Sequence, residues 1–403
     1  MARLWQFSSE LNSAASAVEF DTAISTPAIV TSPVRTGTYA FQESGLVSAT
    51  AKGFRRPFQS AAGNGPFYFR RYLYVVTRPT VGANRILFLN DTDNQTTPMV
   101  WINLATDGSL TLNDEDGAIG SASAVLSLNI QHSIEIKVDR TPAAGSQVVE
   151  ARLDGSVFAT SSTRNLSAGI FVEAAGGNLA GELEVTGEWY FEDFATNDST
   201  GSFQNDYPGE GGVLHLRPSA AGDNAQWPLG TGSTFAEVDE ITPDDATTYI
   251  ASNTSGEISD FNIDNTPAAI GASDTINVAA VGFRGTLSDS TGADPNAVLR
   301  IKASASGTVE ESSNLGGNTT TWNTNGYASP RNFKLVLYDL PGASTTAYTK
   351  ADLDTTQIGV RETNTDTHNY QISALWLSVD FTPAVAGGSV VPVLMSQYRR
   401  RKN

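Results

Sequence analysis

The densest group of residues able to do chemistry lies in one run, Gly187-Glu188-Trp189-Tyr190-Phe191-Glu192-Asp193-Phe194. Read as a strand, it sends Glu188, Tyr190 and Glu192 to one face and Trp189, Phe191 and Asp193 to the other, because successive side chains alternate. Two carboxylates on one face of an aromatic strand suit a sugar-cleaving groove, one as acid and one as base or nucleophile. A solvent-facing row of glutamates opposite a core row of aromatics is the simpler reading and is preferred. Nucleophilic hydrolysis would need a Ser or Thr beside a base. Of the three histidines, His132 opens an alternating strand, His215 sits in Val213-Leu214-His215-Leu216, and His368 lies in a Thr/Asn/Asp loop. None stands in a nucleophile setting, no Gly-x-Ser-x-Gly occurs, and each is read as structural.

Calcium asks for clustered oxygens. The candidates are Asp91-Thr92-Asp93-Asn94, Asp114-Glu115-Asp116-Gly117 and Asn197-Asp198, none with the Gly and final Glu of a calcium-binding helix–loop–helix. Gly209-Glu210-Gly211-Gly212 and Gly316-Gly317 lack the strand–turn–helix setting and the Lys of a phosphate loop, and read as turns. Tyr68, Tyr72, Tyr74 and Trp101 are candidates to line a concave sugar-binding face, with core packing as the competing role for most of them. The expectation is therefore a chain with no catalytic residues and no enzymatic activity, and no cofactor beyond calcium in an acidic turn.

The elements that position these residues are strands. The chain has 403 residues, of which 40% are hydrophobic and only 17% charged. That length allows two or three domains. Its polar surface falls to Ser, Thr, Asn, Gln and Gly, which favour strands and turns over helix interiors. Phe67 to Val76, Arg85 to Leu89, Met99 to Leu104, Ser109 to Leu112, His132 to Asp139, Val148 to Leu153 and Ser156 to Ala159 read as strands. Asp107-Gly108 and Asp154-Gly155 fall between alternating runs as turns, the second as a strong hairpin signal. The pattern resumes at Ser273 to Leu287 (one strand or two), Val298 to Lys302 as its partner, Phe333 to Tyr338, Gln357 to Arg361 and Tyr370 to Phe381. Short helices are predicted at Thr349-Lys350-Ala351-Asp352, which resembles a capping box, and over Phe235 to Ile241. Between the two sets lies Asn197 to Asp245, rich in Gly, Pro, Asn and Asp. It should be ordered and lie across both halves, because Leu214, Leu216, Trp227 and Phe235 need burial. The fold class is all-β, with two antiparallel sandwich or jelly-roll domains, 1–204 and 205–403, joined by that connection.

The net charge of −18 repels phosphate and sets nucleic acid aside. Cysteine is absent, which excludes disulfides, Cys-based zinc sites and a Cys nucleophile. No stretch approaches the roughly 18 apolar residues of a membrane span, and Met1 to Glu10 carries no secretory signal pattern. The expectation is synthesis in a host cytoplasm with exit, if any, by particle assembly and lysis. A basic tail, Arg399-Arg400-Arg401-Lys402, could dock on an acidic neighbour, including another copy of the chain.

Over roughly residues 15 to 200 the sequence resembles the concanavalin A-like, laminin-G-like jelly-roll domains. The resemblance rests on Gly37 to Phe41, Phe67 to Arg70, Asp107 to Leu110, Arg152 to Gly155 and Trp189 to Asp198. The second half resembles tailed-phage virion proteins that follow such a domain, through Glu192 to Asp198, Ala221 to Asp223 with Trp227, Val238 to Glu240, Asp244 to Ile250, and Tyr348 to Asp354 before Gln357 to Arg361. What the resemblance implies is a structural bacteriophage component, in the tail or decorating the capsid, with a lectin-like attachment role. Its partners would be other virion proteins, further copies of itself and a host surface glycan. The alternative is a carbohydrate-binding adhesin or a glycan-active enzyme with a jelly-roll domain.

Overall fold

The computed structural model describes residues 3–384 except 14–21, 25–27, 47–51, 58–63, 83, 91–97, 167–172, 179–184, 202, 289–296, 304–306, 313, 316–321, 325–335, 339–347 and 364–368. Asp91 to Asn94, Gly316-Gly317, Phe333 to Leu335, His368 and the basic tail lie outside the described residues. The molecule is two antiparallel β-sandwiches.

The larger sheet of the first sandwich runs Ser156–Arg164, Gln147–Leu153, Gln131–Asp139, Phe67–Thr77, Val185–Asp198, Ala40–Leu46, Ala28–Val30. Arg3–Phe7 pairs with the far end of Val185–Asp198, beyond the reach of Ala40–Leu46. The smaller sheet runs Gly117–Ile119, Leu110–Asp114, Pro98–Leu104, Asn84–Asn90, Glu173–Asn178, Lys52–Pro57, Thr22–Ile24. Alternation places Phe67, Phe69, Leu73 and Val75 from one sheet against Leu87, Leu89, Ile102 and Leu112 from the other. Asp154 and Gly155 both adopt positive φ (49° and 76°) in the turn between Gln147–Leu153 and Ser156–Arg164, the conformation a tight hairpin needs to follow strand twist.

In the second sandwich, Tyr370–Thr382 and Thr275–Leu287 lie side by side at the centre of one sheet. Gly212–Leu216 and Ile250–Ser252 also pair with the former, and Val336–Tyr338 with the latter. The facing sheet runs Pro218–Ala225, Ile258–Ile263, Gln357–Glu362, Ala297–Lys302, Val309–Glu311. Ala297–Lys302 is thus not the partner of the long Thr275 strand. It pairs instead with Gln357–Glu362 within the facing sheet, which puts its Leu299 and Ile301 in the core shared with the Thr275 strand. Thr349 closes a capping box with Asp352, each backbone N–H meeting the other's side chain (3.2 and 2.8 Å), but the helix is only Lys350–Leu353. Phe235–Glu237 forms a single 3₁₀ turn.

The connection is ordered as expected: Leu214, Leu216 and Trp227 are buried, and Phe235 packs partly buried. Its first part crosses the outer face of the large sheet. The Tyr207 ring stands edge-on to Tyr68 at 5.1 Å, and Arg152 stacks on Tyr207 at 3.5 Å. The Gly209 N–H donates to Glu135 (2.8 Å). A buried ionic seam then joins the sandwiches. Asp380 accepts from Arg3 Nη1 (2.6 Å), Arg70 Nη2 (3.2 Å) and Asn277 Nδ2 (3.3 Å), with all three charged side chains fully buried. Burial alone would raise the Asp380 carboxyl, but Arg70 and Arg3 outweigh it and hold it below its ordinary value. Gly211 lies so close to this seam that a Cβ there would collide with Arg70 and Asp380.

Candidate functional site on the outer face of the large sheet

Register assembles the site. Gln131 lies opposite Tyr74, Tyr74 opposite Tyr190, and Tyr190 opposite Gln42. Since neighbouring strands sit about 4.8 Å apart, these four side chains form a row about 14 Å long. All four face away from the core, since their neighbours Leu73, Val75, Trp189, Phe191 and Phe41 face into it. Tyr74, Gln131 and Gln42 are partly exposed and Tyr190 is 6% exposed.

Within the row, Gln42 Nε2 donates to the Tyr190 hydroxyl (2.9 Å) and to Glu188 Oε1 (3.0 Å), and the Tyr190 hydroxyl donates to the same Glu188 oxygen. The rings of Tyr74 and Tyr190 meet edge-to-face at 6.1 Å. Burial, then the bond to and charge of Glu188, push the Tyr190 phenol up to about 12, so it stays protonated and remains a donor. The row therefore offers the partly exposed Tyr74 ring for the C–H face of a sugar, together with the side-chain oxygens of Gln42, Gln131 and Glu188 for its hydroxyls.

Glu192 is a different case. It is 1% exposed and accepts from the backbone N–H groups of Arg35 (2.8 Å) and Thr36 (3.1 Å). Burial and the neighbouring Asp193 charge raise its carboxyl far above the ordinary range. Glu192 is thus not the solvent-facing acid of the preferred reading. Four residues of strand put Glu188 and Glu192 about 13 Å apart at the backbone, whereas two-carboxylate glycoside cleavage uses carboxyl groups roughly 5–9.5 Å apart. Asp193 also departs from expectation. It sits at positive φ (54°) where the pairing with Phe67–Thr77 shifts register, and this bulge takes it off the core face. There it accepts from Arg35 Nη1 (2.7 Å) and the Val213 N–H (2.7 Å).

Of the aromatics expected to line a concave face, only Tyr74 belongs to the row. Tyr68 is roofed by Tyr207, and Tyr72 by Arg35, whose guanidinium lies 3.5 Å over its ring, while the Tyr72 hydroxyl donates to Glu210. Neither packs in the core; the connection covers Tyr68, and Arg35 together with the connection covers Tyr72. Trp101 lies on the smaller sheet under Arg85, 4.7 Å above its ring. His132 is structural: its Nδ1 meets Asp154 (2.8 Å) and its Nε2 meets the Ser127 carbonyl (3.2 Å). Among the calcium candidates, Asp114 is buried against Arg164, and Asp198 caps its own turn through Thr200 (2.8 Å). Asn197 is bonded to Arg3 (2.6 Å). Sequence reading missed Gln42, Gln131 and the aligned row, because register is a property of pairing and no single strand carries it.

No family model matches the chain, and no curated protein matches it. Solved structures do. An endo-β-1,4-glucuronan lyase from the fungus Trichoderma reesei is 12% identical over 48% of this chain and 95% of that one, with a TM-score of 0.35. The cellulose-induced protein Cip1 is 16% identical over 45% and 88%, with a TM-score of 0.34. Domain 4 of AbnA, a GH43 extracellular arabinanase from Geobacillus stearothermophilus in complex with arabinotriose, is 14% identical over 49% and 93%, with a TM-score of 0.33. At these scores the likeness carries no reaction or ligand over to this chain. It does correct the exclusion of enzymatic activity drawn from missing motifs: glycan-cleaving enzymes are among the matched structures, so that exclusion does not stand.

Proposed function

We propose that the chain is a glycan-recognising protein that takes an extended oligosaccharide along the row Gln131, Tyr74, Tyr190 and Gln42. The observation that supports this best is the hydrogen-bonded set Gln42–Tyr190–Glu188, held beside the partly exposed Tyr74 ring on the outer face of the large sheet. Sugar recognition needs flat apolar surface flanked by fixed donors and acceptors, and burying a hydroxyl without partners is costly. The row meets both needs with side chains already positioned by one another, so little ordering accompanies binding. If the bound glycan is also cleaved, Glu188 beside the row and the Tyr190 phenol bonded to it are placed to pass a proton. A place in a virus particle, with other particle proteins and further copies of the chain as partners, is part of the same proposal. There the row would serve attachment to a surface glycan.

Calorimetric titration of the intact chain with an oligosaccharide panel, alongside an assay for released sugar ends, tests the reading. Tyr190→Phe removes the hydroxyl that joins Gln42 to Glu188 and keeps the ring. It should weaken binding about ten-fold, the cost of one or two hydrogen bonds. A chain that binds no glycan in the panel, or a Tyr190→Phe variant that binds unchanged, defeats the reading.

A further inference from the structure

A cavity of about 560 Å³ opens at the seam between the sandwiches, and its lining shares no residue with the row. The volume lies within the range of small-molecule sites. Glu10, His215, Asp264 and Asn265 supply its polar wall; Leu216, Pro267 and Ala269 supply apolar surface. The wall is held from behind. The Asp264 N–H donates to the Arg217 carbonyl (2.8 Å), the Thr266 N–H to Asp354 (2.7 Å), and the Ile270 N–H to the Pro267 carbonyl (3.0 Å). Glu10 is clasped by the backbone N–H groups of Thr38 (2.9 Å) and Tyr39 (3.1 Å). Gly37 makes that clasp possible: its φ is +76°, and a Cβ there would collide with the Glu10 carboxyl.

The decisive atom is His215 Nδ1. It is buried and has no hydrogen-bond partner among the described residues, a state that costs of order 1–3 kcal/mol if nothing fills it. The ring is fixed by stacking on Trp376 (centroids 5.5 Å apart, planes 26° apart). Burial first, and the Arg217 charge second, hold His215 well below its ordinary value and keep it neutral. A neutral imidazole offers one N–H and one bare nitrogen, and a hydroxyl can satisfy Nδ1 in either tautomer.

Charge narrows the ligand further. Asp264 opposes an anion. Arg217 stands behind the wall, donating to the Glu10 carbonyl (2.7 Å) and the Glu240 carbonyl (2.6 Å), and from there opposes a cation. We propose that the seam cavity is a second binding site, for a neutral polyhydroxylated small molecule of monosaccharide size, with His215 Nδ1 bonded to one of its hydroxyls. The site is independent of the glycan reading of the outer face.

The test titrates the intact chain with glucose, galactose, N-acetylglucosamine and myo-inositol, with galacturonate and putrescine as charged controls. Binding is followed by calorimetry and by the imidazole nitrogen resonances of His215. At least one neutral compound should bind and shift the His215 signals, in preference to both controls. His215→Phe, which keeps a ring over Trp376, should weaken that binding at least ten-fold. Ala269→Trp, placed on the exposed wall to fill the cavity, should do the same if the first variant folds poorly. The proposal is overturned if none of the four binds, if the charged controls bind better, or if binding survives both substitutions. A sugar lost on Tyr190→Phe but retained on His215→Phe belongs to the outer-face row and also overturns the seam site.

Discussion

Trp189 shows what a single side chain does in this fold. It is fully buried in the first core, and its Nε1 donates to Glu43 Oε2 (2.8 Å). Trp189→Ala removes both the packing and the bond, and should destabilise the first sandwich by about 3–5 kcal/mol. A denaturation midpoint unchanged by the substitution would contradict that placement. Glu10 makes the second prediction at this scale. Burial pushes its carboxyl from 4.5 up to about 7, against the bonds from Thr38 and Tyr39, with Asp193 adding to the rise and Arg217 opposing it. A carboxyl raised in the folded state binds more protons there than in the unfolded chain, so its contribution to stability falls as pH climbs through that window. His215, lowered by burial, has the opposite slope below 6.5. The informative quantity is therefore the difference between the native chain and Glu10→Gln. The native chain's melting temperature relative to the variant should decline from pH 4.5 to about 7, and a pH-independent difference would count against it.

At the scale of elements, the hairpin at Asp154-Gly155 depends on positive φ at both residues. Gly155→Val puts a β-branched side chain in that conformation and should cost of order 1–3 kcal/mol, read as a lowered unfolding midpoint; no change would mean the turn relaxes freely. This hairpin was legible in the sequence for the same reason it is sensitive, since Asp-Gly between alternating runs marks that turn. The long central strands were legible too, because apolar residues recur every second position in Phe67 to Val76 and Tyr370 to Phe381. Arg3–Phe7 escaped, since Arg3 and Gln6 are polar residues whose burial is matched by bonds to distant groups, among them Asp380 and Ser378 of the second sandwich. Pro218–Ala225 reads PSAAGDNA and has no alternation to detect. The break at Asp193 was equally invisible: a bulge reverses facing without changing composition. Of the candidate site, the Glu188–Tyr190 face could be read from spacing, whereas the contributions of Gln42 and Gln131 arrive through pairing with strands far away in the chain. His215 carried a faint signal, an imidazole between leucines in a strand.

At the scale of the whole molecule, the two sandwiches are joined by charge as well as by chain. Removing one member of a buried ion group leaves the others uncompensated, at a cost of about 3–5 kcal/mol. Asp380→Ala strands Arg3 and Arg70 together, and should lower the unfolding midpoint by that amount and loosen the seam. Faster hydrogen exchange at Gly211 and Val213 would report the loosening, while unchanged exchange there would argue that the seam is not held by this carboxylate. Arg3 and Asp380 are 377 positions apart. A ribosome therefore completes the first sandwich before the Asp380 carboxylate that bonds Arg3 and Arg70 emerges. The newborn first half lacks that carboxylate until Tyr370–Thr382 arrives, and a chain terminated short of that strand lacks it permanently.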